Sequence, residues 1–103
     1  MNITVNDVYK VGCLIFEVQQ STFHTLNKQA HMNRDKCQEI MMRLYHKGVV
    51  TLQYKLAGKE PIPYALIDNT HVSQINRKYR PILCVEPAFS DEKEYHDRLD
   101  RAL

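Results

Sequence analysis

The stretch from Asn33 to Gly48 leaves this chain least choice. Cys37, Ile40, Met41, Leu44 and Tyr45 recur at i, i+3, i+4, i+7 and i+8, the spacing of one helix face. Asn33 is a good N-cap, and Asp35 falls in the first turn, where the helix dipole favours an acid. Gly48 stands where a helix wants a left-handed C-cap. The period then changes from helical to alternating. Val50, Leu52, Tyr54 and Leu56 lie on one face of a strand, and Val49, Thr51, Gln53 and Lys55 lie on the other.

Weaker patterns flank this unit. Val8, Val11, Ile15 and Val18, with Leu14 alongside, predict a first helix capped by Asn6 or Asp7 and running to about Gln20. Gly12 is its interior weak point, a position that permits close packing. Ser21 to Thr25 reads as a turn or a very short strand. A second helix is expected over Thr25 to His31, burying Leu26 and Ala30 together with Phe23, and His31-Met32-Asn33 forms a tight turn into the third. After the strand, Ala57 to Pro61 is a turn and Ile62 to Ile67 a return strand. Pro63 cannot donate to a ladder, so that strand belongs at an edge, and the pair makes a hairpin with a basic tip. Thr70 to Tyr79 is a candidate helix ended by Arg80-Pro81. Ile82 to Val85 is a short apolar run without an evident role, and Glu86 to Phe89 a connector. Ser90-Asp91-Glu92 opens a last helix carrying Tyr95, Leu99 and Ala102.

Composition bounds the function. With 103 residues, 44% hydrophobic and 25% charged, the chain has the balance of one small soluble globule. No run approaches the ~18 apolar residues of a membrane span. The first residues hold neither a basic nor an apolar leader region, so no secretory signal is expected. Cys13, Cys37 and Cys84 are odd in number and widely spaced, which argues against a disulfide framework and for a reducing, cytoplasmic setting. The net charge of +2 is unevenly spread: residues 22–67 carry +4, and each flank carries −1. Local positive charge of this kind attracts an anionic polymer; a solvated surface rich in lysine is the alternative.

Chemistry is hard to place on this chain. His24, His31, Cys13 and Cys37 match no zinc-ligand spacing, and Cys37 lies on the apolar stripe, where cysteine acts as a small hydrophobe. There is no glycine-rich phosphate loop, no nucleophile elbow and no paired carboxylates. Neither catalysis, nor a cofactor, nor a metal, nor a small-molecule ligand is expected.

Three helices followed by a hairpin, with a tight turn between the second and third, is the order of a winged helix–turn–helix. The expected class is therefore mostly α with a β-hairpin (α+β), with one or more added C-terminal helices. Residues 1–69 would form the winged domain, and residues 70–103 an extension for packing or dimerisation. The run from Thr22 to Thr51 also resembles the C-terminal gamma domain of FtsK-type DNA translocases. Thr22-Phe23 stands where that family has a small polar and an aliphatic residue. Leu26, Ala30 and Met32 fall on the core positions of its second helix, and Ile40, Met41 and Leu44 on those of its recognition helix. Gly48-Val49-Val50 matches its glycine and two aliphatics, and Asp7-Val8-Tyr9 its helix-one start. The resemblance implies a winged-helix fold and DNA binding. It does not carry over a target sequence. The family's Gly-Tyr-Asn-Arg and Ala-Ala-Arg runs are replaced by Asn33-Arg34-Asp35-Lys36 and Cys37-Gln38-Glu39, with an acid at Glu39 where the family has arginine. The family's motor has no counterpart in these residues.

On this reading the third helix enters the major groove of double-stranded DNA, with Arg34, Lys36, Gln38, Glu39 and Arg43 facing the bases. Thr22, Thr25, Lys28, Lys55 and Lys59 are candidates for phosphate contact. Helix capping alone would explain the threonines, and ordinary solubilising lysine is the alternative for Lys28, Lys55 and Lys59. The function expected is occupancy of a DNA site, as a small transcriptional regulator or a site-marking factor. The alternative is a winged-helix module that docks on protein. Tyr95, Leu99 and Ala102 make a narrow stripe that packs either on the first helix or on a second copy, as in a homodimer.

Overall fold

A computed structural model of the protein describes residues 2–67 and 81–103. In chain order these form α1 (Val5–Val18), β1 (Ser21–Thr22), α2 (Phe23–Ala30), α3 (Arg34–His46), β2 (Val50–Lys55) and β3 (Ile62–Pro63). A short 3-10 turn (Tyr64–Leu66), β4 (Ile82–Pro87) and α4 (Glu92–Ala102) follow. The architecture is α+β, with an antiparallel four-stranded sheet in the order β1-β4-β2-β3. None of the described helices is long and apolar enough to cross a membrane. The candidate helix over 70–79 lies outside the described residues.

Local chemistry explains the helix ends. α1 starts two or three residues earlier than a cap at Asn6 or Asp7 would place it, because Thr4 and Asp7 close a capping box. The Thr4 hydroxyl accepts from the Asp7 amide at 3.1 Å, and the Asp7 carboxylate accepts from the Thr4 amide at 3.0 Å. α1 stops at Val18, where Gln19 takes a positive φ of 60°. α2 begins at Phe23 rather than Thr25, since the Thr22 hydroxyl accepts from the Thr25 amide at 3.1 Å. His31, at φ 53°, ends it, and the Asn27 side-chain amide donates to the Met32 carbonyl at 2.9 Å across the turn. Asn33 caps α3 as its side chain suggests, accepting from the amides of Asp35 and Lys36. Gly48, at φ +76°, lets the chain leave α3 and enter β2.

The hairpin is shorter than the sequence pattern suggests. β3 sits at the sheet edge, where Pro63 has no ladder bond to donate, but only Gln53↔Pro63 and Tyr54↔Ile62 pair before the chain turns at Tyr64. The long partner of β2 is β4, in register from Val50↔Pro87 to Lys55↔Ile82. The apolar run Ile82–Val85 is thus part of a central strand that also pairs with β1 through Ser21↔Val85 and Thr22↔Cys84. Glu86 and Pro87 belong to it rather than to a connector.

Residues 82–103 are accordingly paired and packed with the residues that precede them. α4, capped by Asp91, lies on α1. The Tyr95 hydroxyl donates to the Gly12 carbonyl at 2.6 Å, and the Tyr95 ring stacks on Phe16 at 4.9 Å between centroids. Leu99 fills the notch over Gly12. Tyr95 and Leu99 are fully buried in the one chain and Ala102 half-buried, so the stripe considered for a second copy is occupied by α1. The core joins α1, α2, α3, α4 and one sheet face through Val11, Ile15, Leu26, Ile40, Leu44 and Val85.

Gly12 has no room for a side chain: a Cβ there would stand 2.8 Å from Leu99 Cδ2 and nearer still to Cδ1. Gly12→Ala gains about 1 kcal/mol of helix propensity but pays an overpacking cost of roughly 1–3 kcal/mol. A net loss of stability of about 1 kcal/mol is expected in urea unfolding. In a Leu99→Ala background the same substitution should become neutral or stabilising. Additive losses in the double variant would mean that the two side chains do not meet.

Candidate nucleic-acid interface

The turn from α2 into α3 sets the orientation of the site. Cys37, Ile40, Met41 and Leu44 of α3 are fully buried, so the helix must present its other side outward. On a helical wheel, the line directly opposite that stripe runs through Asp35, Glu39 and His46, all exposed. Gln38 and Arg43 flank this line and are exposed. Glu39 and Arg43 approach each other at 3.9 Å, each side chain about half exposed, at 55% and 51%.

Two of the cations expected on the outward face lie at its margins. Arg34 is exposed, but its guanidinium lies over the Phe23 ring, 4.9 Å from the centroid, in a cation–π contact with α2. Lys36 turns the other way and is half-buried. Its ammonium meets the Asp7 carboxylate of α1 at 2.7 Å. Lys36 is thus engaged within the fold, and Asp7, which sequence reasoning treated only as a cap, has two tasks.

The Lys36 ammonium and the Thr4 amide together hold the Asp7 carboxyl down at about 2, from an ordinary value of 3.8. A depressed carboxyl contributes stability that is present above 3.8 and is lost as pH falls through about 2. The stability gap between wild type and Lys36→Met should therefore narrow across that window, read by urea unfolding at a series of pH values. A gap that stays constant down to the lower limit would refute the pairing.

The phosphate candidates are dispersed. Thr22 commits its hydroxyl to the α2 cap, accepting from the Thr25 amide and donating to the Thr25 hydroxyl at 3.0 Å. Lys28 is exposed on α2, Lys55 at the end of β2, and Lys59 in the turn at Gly58.

Sequence reasoning missed two features. One is a chain of rings that ties the β3 segment to α3: Tyr45 meets Tyr64 edge-on at 5.4 Å, and Tyr64 stacks on Tyr54 at 5.9 Å. Burial raises the Tyr54 phenol above its ordinary value. The other is a group of cations at the C-terminal ends of α3 and α4, where Lys47, Arg98 and Arg101 line one hollow with Ala102. The helix of Arg98 and Arg101 is rich in acids, and in one dimension the cations are hidden among them.

Cys37 and Cys84 are buried. Burial raises the thiols of Cys37 and Cys84 above their ordinary values. Among the described residues no group of three or more His, Cys, Asp or Glu side chains could hold a metal ion.

No protein-family model, no curated protein and no solved structure matches the chain. The case for a function therefore rests on the residues and their geometry.

Proposed function

We propose that this protein is a winged helix–turn–helix that binds double-stranded DNA and acts by occupancy, as a regulator of transcription or a marker of a DNA site. The observation that carries this reading is where α4 goes. It packs on α1, and among the described residues it leaves Gln38, Glu39 and Arg43 on α3 exposed. A helix of 13 residues, presented at the end of a tight turn, fits the major groove. The element order supports the same reading. β1 lies between α1 and α2, and β4 returns antiparallel beside β2.

Roles follow from side-chain chemistry. Gln38 suits adenine and Arg43 guanine, while Glu39 can accept from cytosine. Arg34 at the start of α3 reaches phosphate or base. Lys36 contributes mainly by fixing α3 against α1. Lys28, Lys55 and Lys59 supply phosphate contacts that set register without reading sequence. A two-fold DNA site would be read by two copies meeting through a surface other than Tyr95 and Leu99, which α1 already covers.

A second reading is favoured by one observation: Asp35 and Glu39 lie on the most outward line of α3, and acids there repel phosphate. A protein partner with a basic surface would suit that line. Selection of duplexes from a random pool at low salt, followed by a salt titration, separates the two. DNA binding is expected to yield an enriched sequence whose affinity falls steeply with salt, because counterions are released. Failure of the folded protein to retain any duplex at low salt would favour the docking module.

A further inference from the structure

We propose that the hollow enclosed by the N-terminal end of α1 and the C-terminal ends of α3 and α4 is a binding site for a small amphiphilic anion, a carboxylate with a short alkyl or aryl body. The inference does not depend on the DNA reading.

The hollow measures about 250 Å³, below the usual range of pockets for drug-sized ligands, and it suits a short chain or a single ring. Apolar side chains, Val5 and Val8 of α1, Leu44 of α3 and Leu103, line part of it, and polar atoms make up the larger share of its open surface. Five large hydrophobics are exposed among the described residues, and two of them, Val5 at 60% and Leu103 at 41%, line this one feature. Apolar surface left open to water in a concave site is surface that a ligand body can cover.

One side of the hollow is cationic. Arg43 and Lys47 line it, and Lys47 and Ala102 also line an adjoining hollow with Arg98 and Arg101. Among the described residues no acidic side chain lines either space, while Arg98 and Arg101 also line a neighbouring hollow with Asp91, Glu94 and Asp97. Within the described residues, the only carboxylate that pairs with any of these four cations is Glu39, at 3.9 Å from Arg43. The Arg98 guanidinium lies over the Phe89 ring, 5.1 Å from its centroid, which leaves Lys47 and Arg101 to offer donors beside a partly apolar cleft, the combination that recognises an anionic head joined to an apolar body.

Octanoate, 1-octanol and acetate test this as probes of head plus tail, tail alone and head alone, followed by amide shifts in NMR spectra of the whole chain. Octanoate is expected to give saturable shifts at Val5, Val8, Leu44, Lys47 and Ala102, and each of the other two probes to bind at least about tenfold more weakly. Lys47→Gln with Arg101→Gln should weaken octanoate about tenfold and leave 1-octanol unchanged. Ala102→Trp, which fills the hollow, should block octanoate; if that variant loses its fold by circular dichroism, Val5→Trp at the exposed rim serves instead. The proposal is overturned by any of three results: no saturable shift at about 10 mM octanoate, equal binding of 1-octanol, or shifts centred elsewhere. Retention on phosphatidylglycerol vesicles without a response to free octanoate also overturns it, because the cations would then be contacting a lipid surface.

Discussion

Tyr95→Ala is expected to lose about 3–5 kcal/mol of folding stability, the usual cost of deleting a buried aromatic side chain. A domain of this size has only about 5–15 kcal/mol to lose, so the variant should be largely unfolded at modest urea concentrations. The ring fills the space between α4 and α1, stacks on Phe16, and places its hydroxyl on the Gly12 carbonyl. Burial holds that phenol far above its ordinary pKa, so it stays a donor at any physiological pH. Tyr95→Phe separates the two contributions. It keeps the ring and removes one buried hydrogen bond, for a loss of about 1 kcal/mol. Urea unfolding followed by circular dichroism measures both variants. A loss of less than about 1 kcal/mol for Tyr95→Ala would show that α4 does not pack on α1 in solution.

The second large effect concerns DNA. On the selected duplex, Arg43→Ala and Gln38→Ala should each weaken binding by about 1–3 kcal/mol, roughly fivefold to 150-fold, and each should relax the preference at one base position. Neither should unfold the protein, since both side chains are exposed and Arg43 gives up only a long helical ion pair with Glu39. Lys36→Ala should behave in the opposite way: reduced stability, because the Asp7 carboxylate loses its partner, with a smaller effect on DNA. Fluorescence anisotropy at one fixed salt concentration, paired with urea unfolding, reads both quantities. Wild-type affinity in both Arg43→Ala and Gln38→Ala would remove α3 from the interface.

Where local chemistry decides, the elements were legible in the sequence. Asn33 and Gly48 bound α3 because a side-chain oxygen and a left-handed glycine act on their own neighbours. The interior glycine of α1 signalled a close approach, though not that Leu99 makes it. The start of α1 was misplaced because Asn6 and Asp7 are good caps in isolation, whereas the Thr4–Asp7 box satisfies two amides at once. β4 was not legible at all. A short apolar run has no period of its own, and its role comes from pairing with β1 and β2, far away along the chain. The site was legible in composition but not in direction. Periodicity placed Arg34, Lys36, Gln38, Glu39 and Arg43 off the core. It could not foresee that Phe23 would take Arg34 or that Asp7 would take Lys36. Nor could it bring Lys47 beside Arg98 and Arg101, because that meeting depends on how α4 lies relative to α3.

The position of β4 also governs when the molecule can be finished. Its neighbours β1 and β2 have both been synthesised before Ile82 is made, yet neither has its main partner until then. A nascent chain that stops at Ile67 carries two strand edges with nothing between them, and the helices above have only part of their floor. Synthesis of the last quarter of the chain is therefore the step that turns a loose helical cluster into a cooperative unit. Truncated products should be prone to degradation and aggregation rather than persist as a smaller working domain.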